Sequence, residues 1–251
     1  MTEAGELARA LHAPVFAHNA ETAREVAECR GRWGKTPTEL FDSLGHFDYG
    51  GGGFHCVHMT EHDLEIFRNR GLWAVTNPGS NAKLASGIAP LEQMRALGIH
   101  MAIGTDGPSS NNALDFFREM YLAAVLQKLR CGDAAALPAD DVLYMATVGG
   151  AQAMGLTDFT LTPRYYEENV RLQLAGEQIG GVIGRRGETL DAIQQLTSYS
   201  VNRTGSRVRV QLDAENYRAK REQSLERLAN KVAGKVVKYL SLIHISEPTR
   251  L

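Results

Sequence analysis

The stretch Ile103-Gly-Thr-Asp106-Gly-Pro-Ser-Ser-Asn-Asn112 places a carboxylate where an apolar run gives way to glycine and polar residues. The run before it, residues 100–103, has the composition of a short buried strand. Barrels of alternating strands and helices carry their chemistry at the carboxyl ends of such strands, so Asp106 is a candidate site residue. The letters Asp-Gly-Pro are also typical of a turn that simply ends a strand, and this stretch alone does not decide between the two interpretations.

The segments around this stretch alternate between short apolar runs and helical patterns. Three further runs are expected as strands, at residues 14–17, 54–57 and 72–76. Continuous apolar strands that alternate with helices predict a parallel sheet covered by helices, an α/β fold. We expect helices at residues 4–12, 22–33, 38–44, 60–70, 90–97, 115–129 and 140–149, and a loop at 77–83.

Polar side chains follow each predicted strand: His18 and Glu21, His55, Asn77 and Asn81, and Asp106. Imidazole nitrogen and carboxylate oxygen suit a divalent transition metal such as zinc, so His18 and Asp106 are candidate ligands. Glu21 could move protons beside a metal-bound water, and His55 could orient or polarise that water. A hydrogen-bonded structural histidine is the alternative at His18 and His55.

These residues belong to longer motifs: His18-x-x-Glu-Thr22, His55-Cys-Val-His58, Asn77-Pro-x-Ser-Asn-x-Lys-Leu-Ala-Ser-Gly87 and Gly104-Thr-Asp-Gly-x-x-Ser-Asn-Asn112. In this order they resemble the metal-dependent amidohydrolases over residues 1–157. The most similar subgroup is the methylthioadenosine/S-adenosylhomocysteine deaminases with their triazine-hydrolase relatives. The resemblance implies strands five to eight of a TIM-type (β/α)8 barrel, in other words its C-terminal half.

The resemblance also implies a role for each candidate. His18 and Asp106 would be ligands of zinc or another divalent transition metal, and Asp106 would also be the general base. Glu21 would contact a purine ring and shuttle a proton, and His55 would lie near the reactive water. The implied enzyme is a hydrolase acting on C–N bonds, in which metal-bound hydroxide attacks a purine nucleoside-like substrate and ammonia is released.

One part of the family's pattern is absent from the sequence. The family begins its barrel with a His-x-His pair that supplies two more metal ligands, and no such pair occurs here. Residues 1–157 are also fewer than the roughly 250 that a complete barrel takes. We therefore expect a deaminase-like fragment that is inactive by itself.

The second half of the chain has a different charge and pattern. Residues 1–155 carry 12 Lys and Arg against 18 Asp and Glu, a formal charge of −6, whereas residues 156–251 carry 15 against 11, a formal charge of +4. This reversal indicates two domains, the second with a polyanionic partner. We expect a junction at 158–168, strands at 169–175 and 207–212, and helices at 176–184, 188–202 and 214–239.

The turn Gly184-Arg185-Arg186-Gly187 lies between two of these helices. Glycines let a nucleic-acid backbone approach closely, and the arginines can bind phosphates, although a plain helix–helix turn is the alternative. With its flanking sequence the turn resembles the KH domain of Jag-type bacterial RNA-binding proteins, over residues 160–239. The resemblance implies a small α+β KH domain at 169–239 that binds single-stranded RNA through these four residues.

Residues 240–251 fit neither family and resemble translated sequencing-adapter read-through. The two halves can derive from a natural fusion or from a chimeric, mis-assembled reading frame. Three cysteines form no paired framework, no apolar run approaches ~20 residues, and the start lacks a signal-peptide pattern. We therefore expect a cytoplasmic protein that does not enter a membrane.

Overall fold

The computed structural model describes residues 2–177, 179–202 and 207–239. The chain divides into two units, Met1–Gly155 and Leu156–Leu251. The tail at 240–251, interpreted above as adapter read-through, lies outside the described residues. No helix within the described ranges is long and apolar enough to cross a membrane.

Strands and helices alternate along the N-terminal unit, as the sequence predicts. Their bounds are α1 Thr2–Leu11, β1 Val15–Asn19, α2 Ala23–Trp33, α3 Pro37–Ser43, β2 Gly51–His55, α4 Glu61–Arg70, β3 Trp73–Thr76, α5 Pro78–Lys83, α6 Leu91–Ala96, β4 His100–Ile103, α7 Pro108–Asn111, α8 Phe116–Cys131, α9 Ala139–Tyr144, a π-turn Met145–Gly149 and α10 Gly150–Ala153. The four strands are parallel and lie in the order β1-β2-β3-β4, so each pairs with the next one along the chain. The carboxyl ends of all four therefore lie at one edge of the sheet.

Three threonines fix the starts of helices in this unit. Thr22, Thr36 and Thr60 each accept a hydrogen bond from the backbone three residues later, and an acidic side chain at that position bonds back. These are capping boxes, which satisfy two backbone donors at once. The box formed by Thr60 and Asp63 confirms the predicted start of α4.

Strand β2 differs from the sequence-based prediction. The glycines at 51–53 were expected to precede a strand at 54–57, but they form the strand, which ends at His55. A Cβ atom at Gly51 would collide with the Val15 carbonyl, and one at Gly52 with the Trp73 carbonyl. Glycine is therefore required because the neighbouring strands approach the backbone closely.

An apolar cluster of buried side chains packs between the sheet and its helices. It includes side chains that are almost fully buried, such as Phe67 and Leu72 around α4, Met94 in α6 and Leu137 before α9. Burying a side chain of this size contributes about 1.5–3 kcal/mol. The cluster includes buried side chains of β3 and β4, whereas polar residues follow the carboxyl ends of the strands.

In its described residues the C-terminal unit has a three-stranded sheet and three helices. Its elements are β5 Phe159–Tyr165, β6 Asn169–Gly176, α11 Gly180–Ile183, a 3₁₀ turn Arg185–Gly187, α12 Glu188–Asn202, β7 Arg209–Ala214 and α13 Tyr217–Tyr239. The sheet order is β5-β6-β7, with β5 antiparallel and β7 parallel to β6. Leu174, Leu190 and Leu212 join its strands and helices in a small apolar core.

Strand β5 occupies the stretch that the sequence suggests as a junction at 158–168. It pairs along its whole length with β6, from Phe159 opposite Gly176 to Tyr165 opposite Val170. Pro163 lies in its middle, and a proline normally argues against a strand because it cannot donate to the ladder. An edge strand tolerates it, since one side of the strand has no partner.

Candidate functional site

The carboxyl ends of β1 and β2 bring two imidazoles together. His18, near the end of β1, is exposed, whereas His55, the last residue of β2, is only 1% exposed. Their rings stack with centroids 5.3 Å apart and planes inclined by 23°. Strands β1 and β2 are parallel, and His18 lies opposite Phe54, the residue before His55. This register brings the two imidazoles to neighbouring positions at the ends of the strands.

The hydrogen bonds of His55 indicate how its ring is oriented. Nδ1 lies 2.8 Å from Oδ1 of Asn81 and 3.4 Å from Nδ2 of Asn77. The shorter contact, to a carbonyl oxygen, favours a proton on Nδ1 that is donated to Asn81. In the neutral ring Nε2 then carries the lone pair, and it lies 3.8 Å from Oε2 of Glu21.

Glu21 is held beside His55 by a second contact. Its Oε1 accepts a hydrogen bond of 3.1 Å from the Ser86 hydroxyl, and its side chain is 22% exposed. Ser86 itself is 4% exposed. One carboxylate oxygen of Glu21 therefore faces a buried hydroxyl and the other faces an imidazole, an arrangement that suits proton transfer.

Asp106 follows β4 in a left-handed backbone conformation, with φ of 60°. Its Oδ2 accepts a 2.6 Å bond from the Ser80 hydroxyl, and its Oδ1 accepts a 2.6 Å bond from the Gly107 N–H. Partial burial raises the pKa of this carboxyl, but the bonds from Ser80 and Gly107, with the nearby His55 and His18, outweigh burial, and the pKa is lowered. The group is therefore held in its charged form.

Backbone strain accompanies two of these candidates. His55 has φ of 68° and Asp106 has φ of 60°, in a region that residues with a side chain rarely adopt. Strained residues of this kind cluster at functional sites, where the surrounding structure fixes them. No sequence pattern revealed this feature.

Helix α5 contributes partners that sequence reasoning did not assign. Residues 77–83 were expected as a loop, but Pro78–Lys83 is a short helix with proline in its first turn, where a missing N–H is harmless. The helix brings Ser80 to Asp106 and Asn81 to His55. The sequence signal that could have identified these partners is the motif at residues 77–87, which directly follows β3.

The donor types suit a divalent metal, but their number does not. His18, His55 and Asp106 supply imidazole and carboxylate groups at one edge of the sheet. Among the residues that the structure describes, however, no three or more His, Cys, Asp or Glu side chains form a group that could hold a metal ion. A catalytic zinc ordinarily has three protein ligands and a water. The described residues therefore do not make a complete zinc site.

A second candidate site lies in the C-terminal unit, at the turn between α11 and α12. Gly184 and Gly187 have φ of 70° and 88°, and Arg186 between them has φ of 59°. Arg185 and Arg186 are both exposed. A Cβ atom at Gly184 would collide with Thr189, and one at Gly187 would lie 2.7 Å from the Tyr217 ring. The glycines thus allow a tight turn that presents two arginines to solvent.

Comparison with known proteins separates the same two parts. The family model described as "Amidohydrolase family" matches residues 1–160, and the one described as "KhpA/KhpB, KH domain" matches residues 152–212. The C-terminal unit is thus similar to KH domains over about 60 residues.

Several curated deaminases resemble about 60% of this chain. The 5-methylthioadenosine/S-adenosylhomocysteine deaminase of Caldanaerobacter subterraneus subsp. tengcongensis is 45% identical over 149 residues, which are 59% of this chain and 34% of the relative. The enzyme of the same name from Desulfitobacterium hafniense is 47% identical over 152 residues, 60% of this chain and 35% of the relative. The chain therefore spans about a third of the length of these relatives.

Solved structures agree with this assignment. An adenosine deaminase from Xanthomonas campestris with bound zinc is 39% identical, with a TM-score of 0.58 over 61% of this chain and 35% of that protein. A guanine deaminase from C. acetobutylicum with bound guanine is 25% identical, with a TM-score of 0.56 over 59% of this chain and 37% of that protein. Since the matching family model covers more than half of the sequence, the chain belongs to the amidohydrolase family.

Proposed function

We propose that the N-terminal unit carries the substrate-contacting and proton-transfer part of an aminopurine deaminase site. The observation that carries this proposal is the convergence of Ser80-bound Asp106 and of His55 with Glu21 at the carboxyl ends of parallel strands. The relatives named for the deamination of methylthioadenosine, S-adenosylhomocysteine, adenosine and guanine support a purine-like substrate. The incomplete donor set supports the further proposal that this chain does not deaminate alone.

The reaction would add water to the amino-bearing carbon of the purine and release ammonia. Glu21, bonded by Ser86 and close to Nε2 of His55, is the residue we assign to contact the ring and pass a proton to it. His55 would orient the water. Asp106 is held in its charged form, which suits a ligand of a cation. Its lowered pKa makes the same carboxylate a weak base in these surroundings.

An experiment that supplies the missing donors tests this function. The full chain with added zinc should release no ammonia from S-adenosylhomocysteine, adenosine or guanine and should lose the metal on dialysis. Co-expression with the part of the Caldanaerobacter relative that lies outside the matched region should restore ammonia release. Asp106→Asn should abolish that restored activity, and His62→Ala, on the exposed side of α4, should leave it intact.

Two outcomes would contradict the proposal. Deamination by the chain alone would show that its donor set is sufficient. A co-expressed pair that co-purifies with zinc but acts on no purine would show that the site serves a different substrate.

We propose single-stranded RNA binding as the function of the C-terminal unit. The exposed Arg185 and Arg186 between two glycines with positive φ support it, together with the match to a KH family model. In KH domains a glycine-flanked loop of this kind holds about four nucleotides by their backbone. Gly184 and Gly187 would provide the close approach, and the arginines would bind phosphates.

The arginines are the better target for a test, because substituting the glycines would also strain the turn. The double variant Arg185→Glu/Arg186→Glu should weaken binding of a fluorescent single-stranded RNA at least tenfold. It should also reduce the slope of log affinity against log salt by roughly 1.4, since each phosphate contact contributes ~0.7. Arg164→Glu/Arg227→Glu makes the same change in charge at exposed positions elsewhere. Equal losses in the two double variants would show non-specific attraction and no clamp.

Our alternative is a chimeric reading frame with no evolved joint function. The two family matches meet at residues 152–160, and the structure divides between Gly155 and Leu156. Long-read sequencing of the source DNA across the codons for residues 156–163 tests this account. Two separate genes would support it, and one uninterrupted frame in the genome would contradict it.

A further inference from the structure

Glu119 is a charged residue in the interior of the N-terminal unit. It lies in the first turn of α8 and is 0% exposed. A carboxylate is costly to bury unless hydrogen bonds and opposite charge compensate for the lost water. The sequence gives no reason to separate it from the other acidic residues of the chain.

Both carboxylate oxygens of Glu119 are bonded, and to different segments. Oε2 accepts a 2.6 Å bond from the backbone N–H of Gly79, and Oε1 accepts a 2.9 Å bond from Nδ2 of Asn111. Arg118 places Nη2 3.6 Å from Oε1. Hydrogen bonds to a charged group of this kind are stronger than those between neutral groups.

The two bonded segments are those that bring Ser80 to Asp106. Gly79 immediately precedes Ser80 in α5, and Asn111 ends α7, just beyond Asp106. The Asn111 amide also donates to the carbonyl of Thr105, the neighbour of Asp106. Glu119 therefore ties both sides of the 2.6 Å contact between the Ser80 hydroxyl and the Asp106 carboxylate.

We propose that Glu119 is a positioning residue that sets the Ser80–Asp106 pair by holding α5 against the turn after β4. Its meaning for catalysis rests on the deaminase function proposed above, but the geometry can be tested without activity. The absence of a side chain at residue 79 fits this role, because a Cβ atom there would collide with Oε1 of Glu119. The bond thus requires glycine at this position.

The substitution Glu119→Gln disturbs this arrangement with little change in volume. Both partners of the carboxylate, the Gly79 N–H and the Asn111 amide, are donors. A glutamine offers one acceptor oxygen and one NH₂ donor, so one of the two contacts must become donor against donor. Either Gly79 in α5 or Asn111 in α7 therefore loses its hydrogen bond to residue 119.

Gln127 provides a matched control on the same helix, eight residues further on. It is 1% exposed, donates to the Ala89 carbonyl at 2.7 Å and accepts from the Glu92 N–H at 3.3 Å. Gln127→Glu is the reverse substitution and also creates a buried conflict, here between a carboxylate and the Ala89 carbonyl. The two hydrogen bonds of Gln127 go to Ala89 and Glu92 and not to α5 or α7, so this substitution reports the general cost of disturbing α8.

The measurement is amide NMR on the full chain, with circular dichroism to establish that each variant folds. The Gly79 N–H reports the bond to Glu119, and the Gly107 N–H, which donates to Asp106 at 2.6 Å, reports the position of the Asp106 carboxylate. In Glu119→Gln we expect both amide protons to change shift, because a neutral amide replaces the carboxylate beside Gly79 and only one of the two segments keeps an acceptor. In Gln127→Glu both should stay as in the unchanged chain.

The variant Ser80→Ala completes the test, because it removes the contact without touching Glu119. It should shift the Gly107 amide, and adding Glu119→Gln to it should produce little further change at Gly107 if both act through the same contact. A Gly107 signal that moves only in Ser80→Ala, or equally in Gln127→Glu, would overturn the proposal. If Glu119→Gln fails to fold, a Gly79 amide in the unchanged chain that exchanges as fast as exposed amides would also overturn it.

Discussion

The cysteines differ in burial, and burial governs whether a thiol can react. Cys56 is 1% exposed, and burial raises its pKa to about 12. Cys29 is 7% exposed, and burial again raises its pKa, whereas Cys131 at the end of α8 is exposed. A thiol with a raised pKa stays protonated at pH 8, so it is a poor nucleophile.

We therefore predict that a thiol reagent such as DTNB titrates one group of the folded chain rapidly at pH 8 and the other two only in denaturant. Cys131→Ser should remove the rapid phase, and Cys56→Ser should leave it unchanged. Rapid reaction of Cys56 in the folded chain would contradict the burial of this residue, which directly follows β2.

The chemistry of the site was partly predictable from residue types alone. His18, Glu21, His55 and Asp106 follow predicted strands, and parallel strands place such residues at one edge. The contacts of Ser86 with Glu21 and of Glu119 with Gly79 were not predictable, since they join residues 65 and 40 positions apart. Whether these residues act together in catalysis stays a prediction.

Strand β2 shows how backbone packing constrains an element more tightly than side-chain pattern does. Gly52 lies between β1 and β3, and a Cβ atom there would collide with the carbonyl of Trp73. A neighbouring backbone cannot move aside as a side chain can. Gly31 in α2 is the opposite case, because an added Cβ atom there meets nothing within 4 Å.

We predict opposite effects for alanine at these two glycines. Gly52→Ala should lower the free energy of unfolding by about 3 kcal/mol, the upper range for overpacking. Gly31→Ala should raise it by about 0.5–1 kcal/mol, because alanine is the better helix former. Urea unfolding followed by tryptophan fluorescence measures both values, and similar midpoints for the two variants would contradict the packing of β2.

At the level of elements, the sequence predicted helices and strands best where local signals were strong. The capping box at Thr60 and the apolar run of β4 are confirmed. The glycine strand, the short helix α5 and the edge strand β5 depart from prediction because glycine and proline weaken local propensity. At these places contact with neighbouring segments decides the structure.

The whole chain combines two units that differ in charge, fold and family resemblance. The N-terminal part carries a formal charge of −6 and the amidohydrolase match, and the C-terminal part carries +4 and the KH match. A small neutral or weakly charged purine needs no basic surface, whereas RNA does. The proposed functions therefore belong to separate units and should be separable by mutation.

Independent unfolding is the test at this scale, and the chain offers a matched pair of substitutions. Ile99 in the N-terminal unit is 5% exposed, and Ile179 in the C-terminal unit is 8% exposed. Changing either to valine removes one buried methyl group and costs about 0.5–1.5 kcal/mol. Both tryptophans, Trp33 and Trp73, lie in the N-terminal unit, so fluorescence follows that unit alone while circular dichroism follows both.

We predict two thermal transitions. Ile99→Val should lower the fluorescence-detected transition by roughly 2–4 °C per kcal/mol, the dependence for a unit of about 150 residues, and leave the other in place. Ile179→Val should lower only the second transition, which circular dichroism detects and fluorescence does not. The expected decrease is roughly 4–8 °C per kcal/mol, because the C-terminal unit is smaller. A single transition that both variants shift alike would show that the two units unfold as one, and would remove the separation on which the two proposed functions depend.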